Sequence, residues 1–193
     1  MGIITESKLK EYRPSLKSSY QTTSSILGQF KNESKLFKTK IFLSHKHDEV
    51  QELEGAIAFL KSFGVEIYVD WLDDGMPKTT SALTAVRIKE KIKNNHKFIL
   101  LATEEAIKSK WCNWELGLGD AAKYIDNISI LPIKKEYSDF TGSEYLQIYP
   151  YIEFLDSSSY LKGSFRSRGA YVVFPSINGN DRVVALDVWL RSR

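Results

Sequence analysis

Phe98-Ile99-Leu100-Leu101-Ala102 is an unbroken apolar run. A strand with one wet face alternates apolar and polar residues. A continuous run of this length is the pattern of a strand buried on both faces, as in the middle of a parallel sheet. The flanking segments fit that reading. Upstream, Ser81 suits the N-cap of a helix running through Ile92, with Leu83, Val86 and Ile92 on its apolar side. Before it, Val65-Glu66-Ile67-Tyr68-Val69 reads as a strand, and Trp71 to Thr80 as a loop carrying Gly75 and Pro77. Earlier still, Lys40-Ile41-Phe42-Leu43-Ser44 is a strand and Asp48 to Phe63 a helix, with Val50, Leu53, Ala56 or Ile57, and Leu60 at helical spacing. Gly64 ends that helix as a left-handed cap.

Downstream, Ser109 starts a helix that ends near Ile125, and Ile128 to Ile133 is a fourth strand. A short helix around Ser143–Tyr149 and a weak strand, Tyr151 to Leu155, complete the series. Strand and helix alternating with short links predict an α/β fold, a parallel sheet covered on both sides.

This pattern occupies residues 37–155. Residues 1–36 are rich in Ser, Thr and Lys and read as a loosely ordered extension or packing arm, with Ile26, Leu27 and Phe30 able to form one amphipathic turn. Residues 156–193 hold a Ser/Gly/Arg-rich link, the apolar run Tyr171-Val172-Val173-Phe174, and a helix after Asn180. That helix carries Val183, Leu186 and Leu190 on one face and is expected to pack on the core.

Bulk composition narrows the function. A net charge of +3, from 27 basic and 24 acidic side chains, is too balanced to make nucleic acid or an anionic membrane the main partner. Cys112 is the only cysteine, so no internal disulfide forms and nothing points to an oxidising compartment. The first residues lack the pattern of a signal peptide. No apolar run approaches the ~20 residues of a membrane helix. Glu6 stands where a myristoylation signal starting at Gly2 needs Ser or Thr. The expectation is a cytoplasmic protein with neither nucleic acid nor membrane as partner.

In an open parallel sheet, ligands collect beyond the carboxyl ends of the strands. Those positions are Ser44, His45, Lys46, His47 and Asp48 after the first strand, Asp70, Trp71, Leu72, Asp73 and Asp74 after the second, and Thr103, Glu104 and Glu105 after the third. This polar rim carries neither a Gly-x-Gly-x-x-Gly turn nor a Gly-Lys-Ser/Thr loop, so Rossmann-type dinucleotide binding and Walker NTPase chemistry lack support. Leu43-Ser44 and Ala102-Thr103 stand where a phosphoacceptor receiver needs acids. His45 and His47 offer two metal ligands without an identifiable third, so no metal is expected. Cys112 has no evident general base.

The richest segment is Ser109-Lys110-Trp111-Cys112-Asn113-Trp114-Glu115-Leu116-Gly117-Leu118-Gly119-Asp120. On a helix, Trp111, Trp114, Leu118, Ala122 and Ile125 form one stripe, with Asn113, Asp120 and Lys123 opposite. Glu115 falls on the border of the stripe. A carboxylate there is partly desolvated unless it meets a partner or opens into a cleft. Spacing alone fits two roles equally: a structural glutamate bonded to a basic residue or backbone amide, or a group with chemistry to do.

Three boxes, Ile41-Phe42-Leu43-Ser44-His45, then Val69-Asp70-Trp71 leading to Met76-Pro77, then Ser109-Lys110-Trp111-Cys112-x-x-Glu115-Leu116, resemble the successive signatures of Toll/interleukin-1 receptor (TIR) domains. The similarity is to bacterial members, including the TIR proteins of Thoeris anti-phage defence. The resemblance implies a flavodoxin-like three-layer sandwich. It also implies cleavage of NAD+ at the nicotinamide–ribose bond, with Glu115 catalytic and Ser44, His45, Lys46, Asp70, Trp71, Ser81 and Trp111 around the substrate. His45 stands where relatives often carry an aromatic or another polar residue.

The chemistry suits one carboxylate. Nicotinamide leaves as a neutral base, so no acid need protonate it, unlike the leaving oxygen of an ordinary glycoside. Positive charge develops on the ribose, and an ionised carboxylate offsets it. On this reading Trp111 forms an apolar wall, His45 or Trp71 stacks on a base, and Lys46 meets the diphosphate. The product is ADP-ribose or a cyclic relative, which reaches a downstream effector, and NAD+ is substrate with no further cofactor. Homotypic assembly through residues 71–80 is expected. Two alternatives stand beside this one: a non-catalytic TIR interaction module, and an enzyme like the nucleoside deoxyribosyltransferases.

Overall fold

A computed structural model describes residues 2–13, 38–73, 75, 81–157, 159–161 and 164–192. Its centre is the predicted run. Strand β4 (Lys97–Ala102) is buried at every position, between β2 (Lys40–Ser44) and β5 (Ile128–Lys134), parallel to both. Strand β3 (Glu66–Tyr68) lies outside β2, and β6 (Tyr151–Leu155) outside β5, again in parallel. Beyond β6 the direction changes. Strands β9 (Gly169–Phe174) and β10 (Arg182–Ala185) add antiparallel, giving the order β10-β9-β6-β5-β4-β2-β3. A separate hairpin pairs β7 (Ser159–Leu161) with β8 (Ser164–Arg166).

Side-chain alternation divides the core into two layers. Ile41, Leu43, Ile99 and Leu101 face one side, where they meet α2 (Val50–Lys61) and the terminal helix α7 (Leu186–Arg191). Phe42, Phe98, Leu100 and Ala102 face the other, against α3 (Ala82–Asn94), α4 (Glu104–Lys108), α5 (Lys110–Lys123) and the short α6 (Tyr145–Ile148). The result is the expected three-layer sandwich, with a sheet that is mostly parallel. Among the described residues no helix is long and apolar enough to cross a membrane.

The N-terminal residues contribute to this core. Ile4–Thr5 forms β1, parallel to β5, and Glu6–Lys10 forms α1. Ile4 and Leu9 are fully buried. The arm is tied to α2 by Arg13, whose guanidinium lies 2.8 Å from the Glu54 carboxylate. The turn expected at Ile26, Leu27 and Phe30 lies outside the described residues.

Three local expectations need correction. The buried residues of α3 are Thr84, Ile88 and Ile92, while Leu83 and Val86 are 54% and 51% exposed. Ser81 does cap this helix, in a reciprocal pair with Thr84. Fixing the entry angle there turns the Ile88/Ile92 edge to the sheet. The second correction concerns α5. It buries Cys112, Glu115, Leu116, Gly119 and Lys123, with Trp111, Trp114 and Leu118 only partly covered and Ala122 and Ile125 exposed. Helical spacing alone puts both tryptophans on the apolar stripe. The sheet instead selects the side with Gly119, since a Cβ there would lie 2.8 Å from the Phe98 ring. Only a glycine lets the helix approach so closely. Lys123, expected on the wet face, is buried with its ammonium on the carbonyls of Lys93 and Asn95, closing the C-terminus of α3. Finally, the last helix begins at Leu186. Residues 182–185 pair with β9, because Val183 and Val184 are worth more in a ladder than in a helix turn.

Candidate active site

Sheet register brings the rim residues together. Phe42 pairs with Tyr68, so continuing both strands by two residues sets Ser44 level with Asp70. The chain turns there, through a 3-10 turn over Asp70–Leu72. Helix α5 comes across the same end of the sheet. Ser109 caps it, accepting from the Cys112 amide at 3.3 Å, and Gly119 seats it on Phe98. Glu115, one turn before Gly119, is thereby carried over the end of β2.

The Glu115 carboxylate is only 2% exposed and accepts a hydrogen bond from the Ser44 hydroxyl at 2.5 Å. Burial pushes its pKa up to about 8, and the nearby Asp70 adds to the rise. Hydrogen bonding from Ser44 and Trp111, and the charge of His47, oppose it. Among the described residues its partners are thus neutral side chains, not a lysine, arginine or backbone amide.

The two histidines differ. His45 is buried, and burial pulls its pKa down to about 4, leaving it neutral near pH 7. Its Nδ1 lies 3.3 Å from the Leu43 carbonyl. His47 is half-exposed, and its Nε2 lies 3.3 Å from an Asp70 carboxylate oxygen, which raises its pKa. The rings are 5.4 Å apart. Beneath them the Cys112 thiol donates to the His45 carbonyl at 3.3 Å, and burial pushes it up to about 11, so it is no nucleophile.

Surrounding contacts stiffen the rim. The Tyr68 hydroxyl donates to Asp73 at 2.9 Å, Lys91 pairs with the same carboxylate at 2.7 Å, and the Lys91 ammonium sits over the Tyr68 ring. The Asn113 amide donates to the Ile107 and Ser109 carbonyls and accepts from the Tyr145 hydroxyl at 2.5 Å. Thr103 donates to Glu49 at 2.5 Å.

Of the residues singled out in the sequence, Ser44, His45, Asp70, Trp111 and Glu115 converge. Trp111 packs on Trp114 with ring centroids 4.8 Å apart. Lys46 pairs with Asp48 at 2.8 Å on the outer surface. Ser81 is engaged as the cap of α3. Trp71 contributes backbone to the turn, and its side chain lies outside the described residues, as do most of residues 74–80. From the sequence His47 is a rim residue whose one considered role is that of a metal ligand, with His45, lacking a third. Its contact with Asp70, 23 positions away, becomes visible only once β2 and β3 are known to be neighbours.

A doubly covered, mostly parallel sheet with a buried glutamate over the carboxyl end of its strands defines a class of α/β domain. The TIR domain family matches residues 41–165, and the chain belongs to that family. It is 32% identical over 164 residues to the "Probable 3' cyclic ADP-D-ribose synthase ThsB'" of Bacillus cereus (strain MSX-D12), covering 79% of this chain and 83% of that one. It is 23% identical over 114 residues to the "Putative cyclic ADP-D-ribose synthase TIR2" of Cytobacillus dafuensis, covering 56% of this chain and 30% of that protein.

Proposed function

We propose that the protein cleaves NAD+ at the nicotinamide–ribose bond and releases ADP-ribose in a cyclic or open form, as a signal in anti-phage defence. The observation that carries this reading is the buried Glu115 carboxyl, held by Ser44 beside Asp70 at the end of β2. The names of both relatives, cyclic ADP-D-ribose synthases, support the substrate and product class.

The mechanism follows from charge. With a pKa of about 8 the free carboxyl is largely protonated at neutral pH. The pyridinium of NAD+ is a cation, and its arrival favours the ionised form. As the C1′–N bond breaks, its electron pair goes to the pyridine nitrogen and positive charge grows on the ribose. A desolvated carboxylate stabilises that charge far better than a hydrated one. The hydroxyl that then attacks C1′, from water or from the ADP-ribose itself, gives up a proton. A carboxylate with a pKa near the working pH is suited to take it. Ser44 acts as a positioning residue, Trp111 as a wall, and Asp70 binds ribose hydroxyls. No step needs a metal or second cofactor.

Leu83 and Val86 form an exposed apolar pair on α3. We assign this face to homotypic assembly, in a cytoplasmic setting where NAD+ is available and Cys112 stays reduced.

The test is incubation of purified protein with NAD+, with chromatography and mass measurement of products. Nicotinamide release that vanishes in Glu115→Gln supports the reading. Absence of turnover at high protein concentration turns the choice to an interaction module, and activity on free deoxynucleosides to a deoxyribosyltransferase-like enzyme.

A further inference from the structure

His45, His47 and Asp70 form a cluster of which the proposed NAD+ chemistry uses only Asp70. One donor atom from each, two imidazole nitrogens and a carboxylate oxygen, lies within 4.8 Å of the others. We propose that this cluster is a binding site for one borderline divalent transition ion, of which zinc is the type, and that the bound ion holds the active site closed to NAD+. The second half rests on the NAD+ reading of the site; the first does not.

Geometry carries the metal assignment. Two donors at ~2.1 Å from a tetrahedral ion stand about 3.4 Å apart. His47 Nε2 and the Asp70 oxygen are 3.3 Å apart, already the edge of such a tetrahedron. His45 is fixed in the tautomer a metal needs. A carbonyl can only accept, so Nδ1 carries the proton toward Leu43, and the ring's lone pair lies on Nε2. A backbone carbonyl behind the distal nitrogen is the usual outer-shell support of a ligating histidine. The widest donor separation, at most 4.8 Å, must close by up to about 1.4 Å to match such a tetrahedron. His47, whose side chain is 54% exposed, has room to shift as the ion replaces its direct bond to Asp70. Two imidazoles and one carboxylate select zinc, cobalt or nickel over magnesium or calcium, and three protein ligands leave a fourth position for water.

The consequence for turnover is electrostatic. Asp70 and Glu115 are close enough for each to feel the other's charge, and His47 acts on both. A dication coordinated to Asp70 places positive charge where the pyridinium and the nascent ribosyl cation must go. It also takes Asp70 away from the ribose. Binding of the ion and binding of NAD+ therefore exclude one another.

The experiment uses tag-free, chelator-treated full chain. Cobalt is titrated in and followed by its tetrahedral visible absorption, and zinc is followed by equilibrium dialysis. The expected result is one ion per chain. His47→Gln, which keeps a donor to Asp70 but offers no imidazole lone pair, should weaken retention by at least about tenfold, the loss that even outer-shell changes cause. Turnover of NAD+ by the wild-type chain should fall on adding one equivalent of zinc and return with chelator, while turnover by His47→Gln, compared with its own zinc-free rate, should resist zinc. No stoichiometric cobalt spectrum, or equal retention by His47→Gln, overturns the metal site. Stoichiometric binding with unchanged turnover overturns the gating. Binding lost in His47→Gln, with no NAD+ turnover in either protein under any condition, leaves the metal site standing and removes the NAD+ reading instead.

Discussion

The Ser44 hydroxyl reaches the Glu115 carboxylate across 2.5 Å, joining the end of a central strand to the buried face of a helix 71 positions further on. This bond makes Glu115 a held group in a dry place. It also opposes the rise that burial imposes on its acidity.

Glu115→Gln should abolish nicotinamide release, by about 10²-fold or more, the usual scale for a lost charge-stabilising or proton-accepting group. The same change should stabilise the fold. The acid has an ordinary value of 4.5 and about 8 when folded. A raised carboxyl pKa means the folded state holds its proton longer than the unfolded one, so stability falls as pH rises from 4.5 to 8 and is recovered at low pH. At pH 7 the cost is on the order of 3 kcal/mol. Thermal unfolding should show Glu115→Gln melting higher than wild type at pH 7.5 and level with it near pH 4.5. A melting difference independent of pH would contradict the assignment.

Since NAD+ binding requires the ionised carboxyl, kcat/KM should rise with pH and level off above a midpoint near 8. Ser44→Ala removes a bond that favours ionisation. Its midpoint should move upward, and its rate at pH 7 should fall more than its rate at pH 9. A uniform loss across pH would mean that Ser44 contacts substrate instead of setting the acidity of Glu115.

Gly119→Ala should lower stability by about 1–3 kcal/mol, the range for overpacking a tight core contact. The new methyl would meet the Phe98 ring at 2.8 Å, close to the ring's attachment to the backbone, where it cannot swing away. Helix α5 would tilt, so activity should fall further than stability alone explains. Chemical denaturation and NAD+ turnover on the same preparation check both.

Lys123→Met keeps the aliphatic stem but leaves the Lys93 and Asn95 carbonyls at the end of α3 without their donor. Destabilisation of about 1–3 kcal/mol is expected from orphaned buried acceptors. Equal stability in urea would show that water replaces the ammonium at no cost.

Much of this was legible in the chain. Period and run length placed β2, β4, β5, α2 and α5, because a buried strand and an amphipathic helix write their burial directly into side-chain order. Ser81, Ser109 and Gly64 marked helix ends through local chemistry alone, and Gly64 indeed has a φ of 78°. Rim logic also named Ser44, His45 and Asp70 as candidates, and helical spacing set Glu115 on the border of an apolar stripe.

What the order of residues could not contain is which parts become neighbours. The buried face of α5 depended on how closely Gly119 lets it approach Phe98, a contact between residues 21 positions apart in different elements. The same holds for Leu83 and Val86, apolar yet outward, and for residues 182–185, drawn from a helix into the edge of the sheet by the free ladder of β9. Local propensities differ by fractions of a kcal/mol, so a neighbouring surface decides them. The meeting of His47 with Asp70, and of Ser44 with Glu115, belongs to that second kind of information. Each side chain was visible in the sequence, but the distances that give them chemistry exist only after β2, β3 and α5 have packed.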